Sequence, residues 1–279
     1  MLTLLKAGIY TTVQDQGRFM GAHLGIPISG AMDRKSADFV NLILGNDRND
    51  AMLECTYTGP TIKFHTPTLI AIVGAQIPAF LNKHPLDTSR AIRIHSNDVL
   101  TFGKMEKGSR FYIGVKNGIQ SQSIYQSRST CTTAGILYQL KNGDQLSYQS
   151  YSNAQNSSVS IRRPLGNNKI AANKGPEFEI LSASSQKTIQ KESFSILPSS
   201  NRMAFRIHHN LQLAHAISIL SSGTLPGTVQ LTPSGELIIL MRDTQTTGGY
   251  PRILQLTEES INDLAQLKVG EYFNLVLSD

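Results

Sequence analysis

Apolar residues in this chain fall mostly in short runs bounded by Gly, Pro, Asn or Ser. The clearest are Thr68-Leu69-Ile70-Ala71-Ile72-Val73, Arg110-Phe111-Tyr112-Ile113-Gly114-Val115, Phe178-Glu179-Ile180-Leu181 and Leu237-Ile238-Ile239-Leu240-Met241. Runs of this length, spaced by turn residues, predict strands, and a succession of them predicts a barrel or a sandwich. Helical periodicity is confined to three places. Over residues 33–44, Ala37, Val40, Ile43 and Leu44 recur at helical spacing, with Asp33 as N-cap and Gly45 as the stop. A second helix is expected after Thr257, with Glu258 and Glu259 favourable in its first turn. Its inner face is Ile261, Leu264, Ala265 and Leu267, and Gly270 is its stop. A short third one is expected around residues 202–207, after Ser199-Ser200.

The polar stretch YQSYSNAQNSSVS, residues 148–160, has little to bury and reads as a linker or long exposed loop. It divides the chain of 279 residues into lobes 1–147 and 161–279. The lobes echo each other. Pro60-Thr61-Ile62-Lys63-Phe64 followed by Leu69-Ile70-Ala71-Ile72 resembles Gly227-Thr228-Val229-Gln230-Leu231 followed by Leu237-Ile238-Ile239-Leu240. A true duplication would give two related barrels, and two unrelated hairpins would look the same.

Composition narrows the function classes. Hydrophobic residues make up 40%, ordinary for a globular protein, so disorder is not expected. The net charge of +6 comes from scattered residues such as Lys104, Lys107, Arg110 and Lys116, without a dense basic stripe. That pattern argues against nucleic acid and suits a pocket for carboxylate or phosphate. Cys55 and Cys131 have no CxxC partner and no His at zinc spacing, so they read as reduced thiols of a cytoplasmic protein without a metal site. The start, MLTLLKAGIYTTVQDQGR, lacks a basic region followed by a long apolar run, so no signal peptide is expected. No stretch reaches 18 apolar residues, so no spanning helix is expected either. Neither HExxH nor GxSxG occurs, and Gly25-Ile26-Pro27-Ile28-Ser29-Gly30 is followed by Ala31 where a phosphate loop needs Lys.

Three segments are dense in polar residues and glycine. Thr11-Thr12-Val13-Gln14-Asp15-Gln16-Gly17-Arg18 continues into Gly25 through Asp33 at the expected helix start, where free backbone N–H groups can receive an anion. Asp15 there can act as a base or as an ion-pair anchor for Arg18. Ser127-Arg128-Ser129-Thr130 offers the Arg128 fork to a carboxylate. Asp243-Thr244-Gln245-Thr246-Thr247-Gly248-Gly249-Tyr250-Pro251-Arg252 reads either as an anion-binding loop closed by Tyr250 and Arg252 or as a tight hairpin turn plugged by the tyrosine.

Those segments, in that order, resemble the family of the 5-oxoprolinase C-type subunit, also called KipA or allophanate hydrolase subunit 2. That family is akin to the carboxyltransferase part of urea carboxylase. Its motifs TTVQDxGR, G-[IV]-P-x-S-G-A-M-D, LGN, E-x-x-x-x-G-P, SRST, S-x-R-M and DxQTTGGYPR stand here at residues 11–18, 25–33, 44–46, 54–60, 127–130, 200–203 and 243–252. The chain departs from the pattern after Thr130. A glycine-rich GGxxGR stretch is replaced there by Cys131-Thr132-Thr133-Ala134-Gly135-Ile136-Leu137-Tyr138-Gln139.

The resemblance implies a mostly β, cyclophilin-like β-barrel fold, with two related barrel lobes and a few short helices. It implies a B-type (KipI-like) and an A-type partner subunit, and ATP, with Mg, spent on cleaving a small cyclic amide, 5-oxoproline, to glutamate. No biotin-accepting MKM segment is present, so no biotin is expected on this chain. Motif membership and residue type give the candidate roles. Asp15, or alternatively Asp33, is the proton acceptor, and Arg128 or Arg202 takes the substrate carboxylate. Gln14 and Gln245 orient the amide. The loop of Thr246, Thr247, Gly248 and Gly249 takes oxyanion or phosphate, and Tyr250 is lid and donor. Arg18 and Ser29 complete the candidate substrate-binding set. Two other readings stay open: a regulatory protein that sequesters a KipI-like inhibitor of a sensor kinase, and a carboxyltransferase or amide hydrolase of the urea carboxylase and allophanate type.

Overall fold

The computed structural model describes residues 1–88, 90–152, 159–209 and 218–278. These form two compact units. Unit 1 comprises Met1–Arg18 and Ser29–Leu165, and unit 2 comprises Phe19–Ile28 and Gly166–Asp279. Of the expected linker, residues 153–158 lie outside the described residues.

Unit 1 holds β1 (Leu2–Lys6), β2 (Tyr10–Gln14), α1 (Arg34–Leu44), β3 (Met52–Thr56), β4 (Thr61–Phe64), β5 (Thr68–Gln76), β6 (Ala79–Leu81), β7 (His84–Pro85), β8 (Ile92–Ile94), β9 (Val99–Phe102), β10 (Lys107–Val115) and β11 (Gln145–Leu146). One sheet runs β11-β1-β4-β9-β6-β7 and the other β2-β3-β10-β5-β8. Alternation along β5 explains the packing. Ile70 and Ile72 join Leu2, Leu4, Ile62, Phe64 and Phe111 in one core, while Leu69, Ala71 and Val73 face Ala37, Val40, Ile43 and Leu44 of α1 in another. Full burial of each such aliphatic side chain contributes about 1.5–3 kcal/mol. The caps of α1 are as the sequence predicts: the Asp33 side chain accepts from the Ser36 N–H, and Gly45 ends the helix in the left-handed region at φ 59°.

Unit 2 holds β12 (Lys169–Lys174), α2 (Ala183–Ile189), β13 (Ser193–Ile196), β14 (Ala204–His208), β15 (Ser222–Gly223), β16 (Thr228–Leu231), β17 (Leu237–Leu240), β18 (Thr247–Gly248), β19 (Arg252–Leu256), α3 (Glu258–Leu264) and β20 (Tyr272–Leu277). Seven of these strands close a barrel, β12-β19-β16-β17-β14-β13-β20, sealed by the parallel pair β12–β20. A separate ladder joins β15 to β18.

Four expectations need correction. Residues 202–207 are not helical. Phe205 and Ile207 are buried at a period of two, and the segment becomes β14. The expected strand at Phe178-Glu179-Ile180-Leu181 is a single 3-10 turn, Phe178–Ile180, that plugs Phe178 into the core. The second helix starts after Thr257 as expected but stops at Leu264, well before Gly270. The echo of the two lobes does not extend to pairing: β16 and β17 form a hairpin, whereas β4 and β5 lie in different sheets.

Candidate active site

In unit 1 the site is built around Asp15, at the end of β2. Its side chain is buried, and four donors converge on it. Oδ1 accepts from the Ser127 hydroxyl (2.7 Å), the Ser129 hydroxyl (2.5 Å) and the Gly17 N–H (2.8 Å), and Oδ2 accepts from the Arg128 N–H (2.6 Å). Three of the four saturate Oδ1, and Oδ2 takes one. Ser129 Oγ in turn accepts from the Asp15 N–H at 3.0 Å, so the segment 127–129 is clamped on both sides.

The arrangement fixes two arginines. Arg18 is fully buried and donates to the Ser129 carbonyl. Arg128 is half-buried and donates through Nη1 to the Ser121 carbonyl, and no described carboxylate is within ion-pair distance of it. Gln14 donates its Nε2 to Thr12 Oγ1 (3.0 Å) and to the Thr130 carbonyl (3.1 Å). A carbonyl can only accept, so it fixes the amide orientation and leaves Oε1 buried without a partner among the described residues. Ser29, in the left-handed region at φ 58°, has a buried hydroxyl that is also without a partner among them. Unit 1 therefore gathers Gln14, Asp15, Arg18 and Arg128 on the segment 127–130, and the Asp15 carbonyl accepts from Ala31, two residues past Ser29.

Asp33 is committed elsewhere in the same unit. Its Oδ2 accepts from the Ser36 hydroxyl at 2.6 Å and lies 3.4 Å from Arg163 Nε. Its N–H donates to the Tyr112 hydroxyl (2.8 Å), which donates to Glu54 (2.7 Å), and Glu54 also accepts from the Met32 N–H (2.7 Å). Burial, then the negative charges of Glu54 and Asp33, push the Tyr112 phenol well above its ordinary range, so it stays a neutral donor.

The remaining candidates belong to unit 2. Arg202 forms a bidentate, buried pair with Asp243, both contacts 2.9 Å, so its fork is occupied by a carboxylate of its own unit. Thr247 and Gly248 form β18, and the carbonyls of Thr246 and Gly249 accept from the N–H groups of Thr224 and Ile219. Tyr250 is 39% exposed. Gln245, Thr246 and Thr247 line a cavity of about 420 Å³ together with Thr224, Leu225 and Thr244. Arg252 clamps Glu177, whose carboxyl is held below its usual range by the hydrogen bond from that guanidinium.

With this geometry in view, the comparisons with known proteins decide the family. Residues 24–277 match the model of the carboxyltransferase domain, subdomain A and B. The chain belongs to this family. Within it, the chain is 34% identical over 281 residues to the C-type subunit of 5-oxoprolinase from Escherichia coli (strain K12), covering 99% of this chain and 91% of that protein. The crystal structure of TTHA0988 superposes with a TM-score of 0.91 at 24% identity, covering 99% of this chain and 55% of that one, and shows the shared fold. The Kluyveromyces lactis urea amidolyase superposes with a TM-score of 0.87 at 25% identity, and the chain spans 19% of its length. The carboxyltransferase-domain chain is thus similar along nearly all of its length to a named subunit of 5-oxoprolinase.

Sequence reasoning missed the partners that hold the site: Ser127 and Ser129 as donors to Asp15, and the Glu54–Tyr112 pair. Signals for both existed. Ser127 and Ser129 flank Arg128 at the two-residue spacing that puts side chains on one side of an extended chain. Glu54 is a charge inside an apolar strand, which demands buried partners.

Proposed function

We propose that this chain is the C-type subunit of an ATP-dependent 5-oxoprolinase, opening the lactam of 5-oxoproline to glutamate together with an A-type and a B-type (KipI-like) subunit in the cytoplasm. The observation that carries this reading is the identity to the E. coli protein along nearly the full length of both chains. The geometry adds chemistry that suits the substrate. Arg128, held by a neutral carbonyl, has a fork to offer the substrate carboxylate, whereas the Arg202 fork is taken by Asp243. Gln14 Oε1, a buried acceptor without a partner among the described residues, suits the lactam N–H, and the Ser29 hydroxyl suits a neighbouring polar atom.

Asp15 in this arrangement is a positioning residue for the Arg128 loop. Oδ1 is saturated by three donors, so only the second lone pair of Oδ2, beside the Arg128 N–H, is left to take a proton from attacking water. Asp33 is committed as cap of α1 and partner of Arg163.

ATP supplies a leaving group on the amide oxygen when it is bound. The described residues do not form a nucleotide cradle of a familiar kind: the glycine loop is engaged in β18 and its flanking carbonyls, and no three His, Cys, Asp or Glu among the described residues converge to hold a metal. The proposed work of this chain is therefore to bind and orient the lactam.

Co-expression with A-type and B-type subunits, followed by an assay of ATP-dependent glutamate formation from 5-oxoproline, tests the reading. The expected result is turnover that needs all three subunits, with KM for 5-oxoproline raised about tenfold or more by Arg128→Gln. An assembled complex that forms no glutamate overturns it. The likeness to urea amidolyase favours carboxyl transfer as the competing reading, and transfer from free carboxybiotin by the same complex would establish it.

A further inference from the structure

The strand β5 leaves part of one edge unpaired. Its register with β10 puts Ile70 opposite Val115, and the Lys116 N–H donates to the Leu69 carbonyl at 2.9 Å. Leu69, Ala71 and Val73 therefore turn their backbone groups toward β10, and the residues between them face the opposite edge. On that edge β8 pairs with Thr68, Leu69 and Ile70 and goes no further. The N–H and carbonyl of Ile72 and the N–H of Gly74 point past the end of β8, and no group among the described residues bonds to them. Ile72 is only 4% exposed, and backbone groups so placed are rarely left without a partner.

Pairing resumes only where Phe80 meets Pro85, in the other sheet. Between the two ladders one arm takes ten residue steps, Ile70 to Phe80, and the other seven, Pro85 to Ile92. The longer arm must bow out. A cavity of about 710 Å³ lies against the bow, lined by residues 72–78 and flanked by residues 85–88 and 161–163, all of unit 1. Ile77, Leu86 and Ile161 give it apolar surface, while Asp87, Glu106 and Arg162 bring charges of both signs, so the lining selects no small ion. Its unpaired backbone selects another backbone. An open strand edge is a template for an added strand, with main-chain hydrogen bonds for affinity and alternate side chains for specificity. The flanking segments make this edge a slot, which suits one free extended chain better than an edge strand that brings its own sheet. We propose that it takes an extended segment of the B-type subunit, paired through Ile72 and Gly74, with alternate apolar side chains against Ile77, Leu86 and Ile161. The identity of the occupant rests on the 5-oxoprolinase reading.

Hydrogen exchange on the full chain, alone and with the B-type subunit, tests this amide by amide. The Ile72 and Gly74 amides are expected to exchange readily in the isolated chain and about tenfold or more slowly in the complex. Ala71 and Val73, already bonded to β10, should be slow in both. Thr88→Trp, which sets a bulky ring at the slot, should weaken the association about tenfold or more. Ile72 and Gly74 amides that are slow in the isolated chain, or unchanged in the complex, overturn the assignment. So does an association that the Thr88 substitution leaves unaltered, or a B-type subunit that does not bind. Slowing of both amides as this chain alone is concentrated would put a second copy in the slot and overturn the named occupant. The outcomes separate from those of the functional reading. If a three-subunit complex forms glutamate while both amides exchange as in the free chain, this assignment fails alone. If both amides are protected in a three-subunit complex that forms no glutamate, the substrate assignment fails alone.

Discussion

Replacing Asp15 by asparagine is the sharpest probe of how the Arg128 loop is held. The carboxylate accepts four hydrogen bonds while buried. In Asp15→Asn the amide oxygen can replace Oδ1 and keep three donors, but at neutral rather than charge-assisted strength, roughly half of each bond. The amide nitrogen then faces the Arg128 N–H at the 2.6 Å now spanned by Oδ2, donor against donor. Losing one bond to a charged group costs about 1.5–3 kcal/mol, and weakening three others adds about 1 kcal/mol each before relaxation. Allowing for partial relaxation, the loss is about 3–5 kcal/mol. At 2–4 °C per kcal/mol for a unit of this size, that lowers the melting temperature by about 6–20 °C. Differential scanning calorimetry of the two proteins gives the answer directly. A fall of less than about 2 °C would refute the four-donor cage, whatever happened to activity.

Three further outcomes follow from other contacts. Arg202→Met leaves the buried Asp243 carboxylate without its fork and should destabilise unit 2 by about 3–5 kcal/mol in urea unfolding, a cost that Asp243→Asn in the same background should partly relieve. Tyr112→Phe removes the hydroxyl between the Asp33 N–H and Glu54, at a cost of about 1–3 kcal/mol, seen as a lower denaturant midpoint with an unchanged slope. The Glu177 carboxyl lies below its ordinary value of 4.5 because Arg252 donates to it. Its folded value is depressed, so its contribution is present above that ordinary value and is lost as pH falls through the folded value. Glu177→Gln should therefore flatten the acid limb of a melting-temperature profile below about pH 4.5 and leave its neutral region parallel to wild type.

Much of the architecture could be read from local pattern. The helix of residues 34–44 announced both of its caps, because Asp33 and Gly45 act on neighbours within a turn. The strand β5 was equally plain from its unbroken apolar run. Where reading failed, the deciding contact was distant. Residues 202–207 look weakly helical until Phe205 and Ile207 are placed in a barrel wall, and β4 resembles half of a hairpin until β1 and β9 claim its edges. The candidate site divides the same way. Residue types and motifs picked out Asp15 and Arg128, but the two hydroxyls on Asp15 come from Ser127 and Ser129, 112 and 114 positions away, and the spacing of those serines puts them on one side of the chain without saying what they face. Nor could it show that Asp243, and not a ligand, fills the Arg202 fork.

The allocation of residues 19–28 to unit 2 has a consequence for biosynthesis. This strap is translated about 140 residues before the barrel it belongs to begins at Gly166. At 5–20 residues per second it waits roughly 7–28 s beside a growing chain. During that interval Ala22 and Ile28 lack the residues of their own unit that they lie beside in the fold, Thr224, Leu225 and Thr244 among them, so nascent-chain binding factors and early truncation products should be most sensitive there. The same routing means that no single cut releases either unit whole: a fragment ending at Leu165 carries a stray piece of the barrel unit, and one starting at Gly166 lacks it.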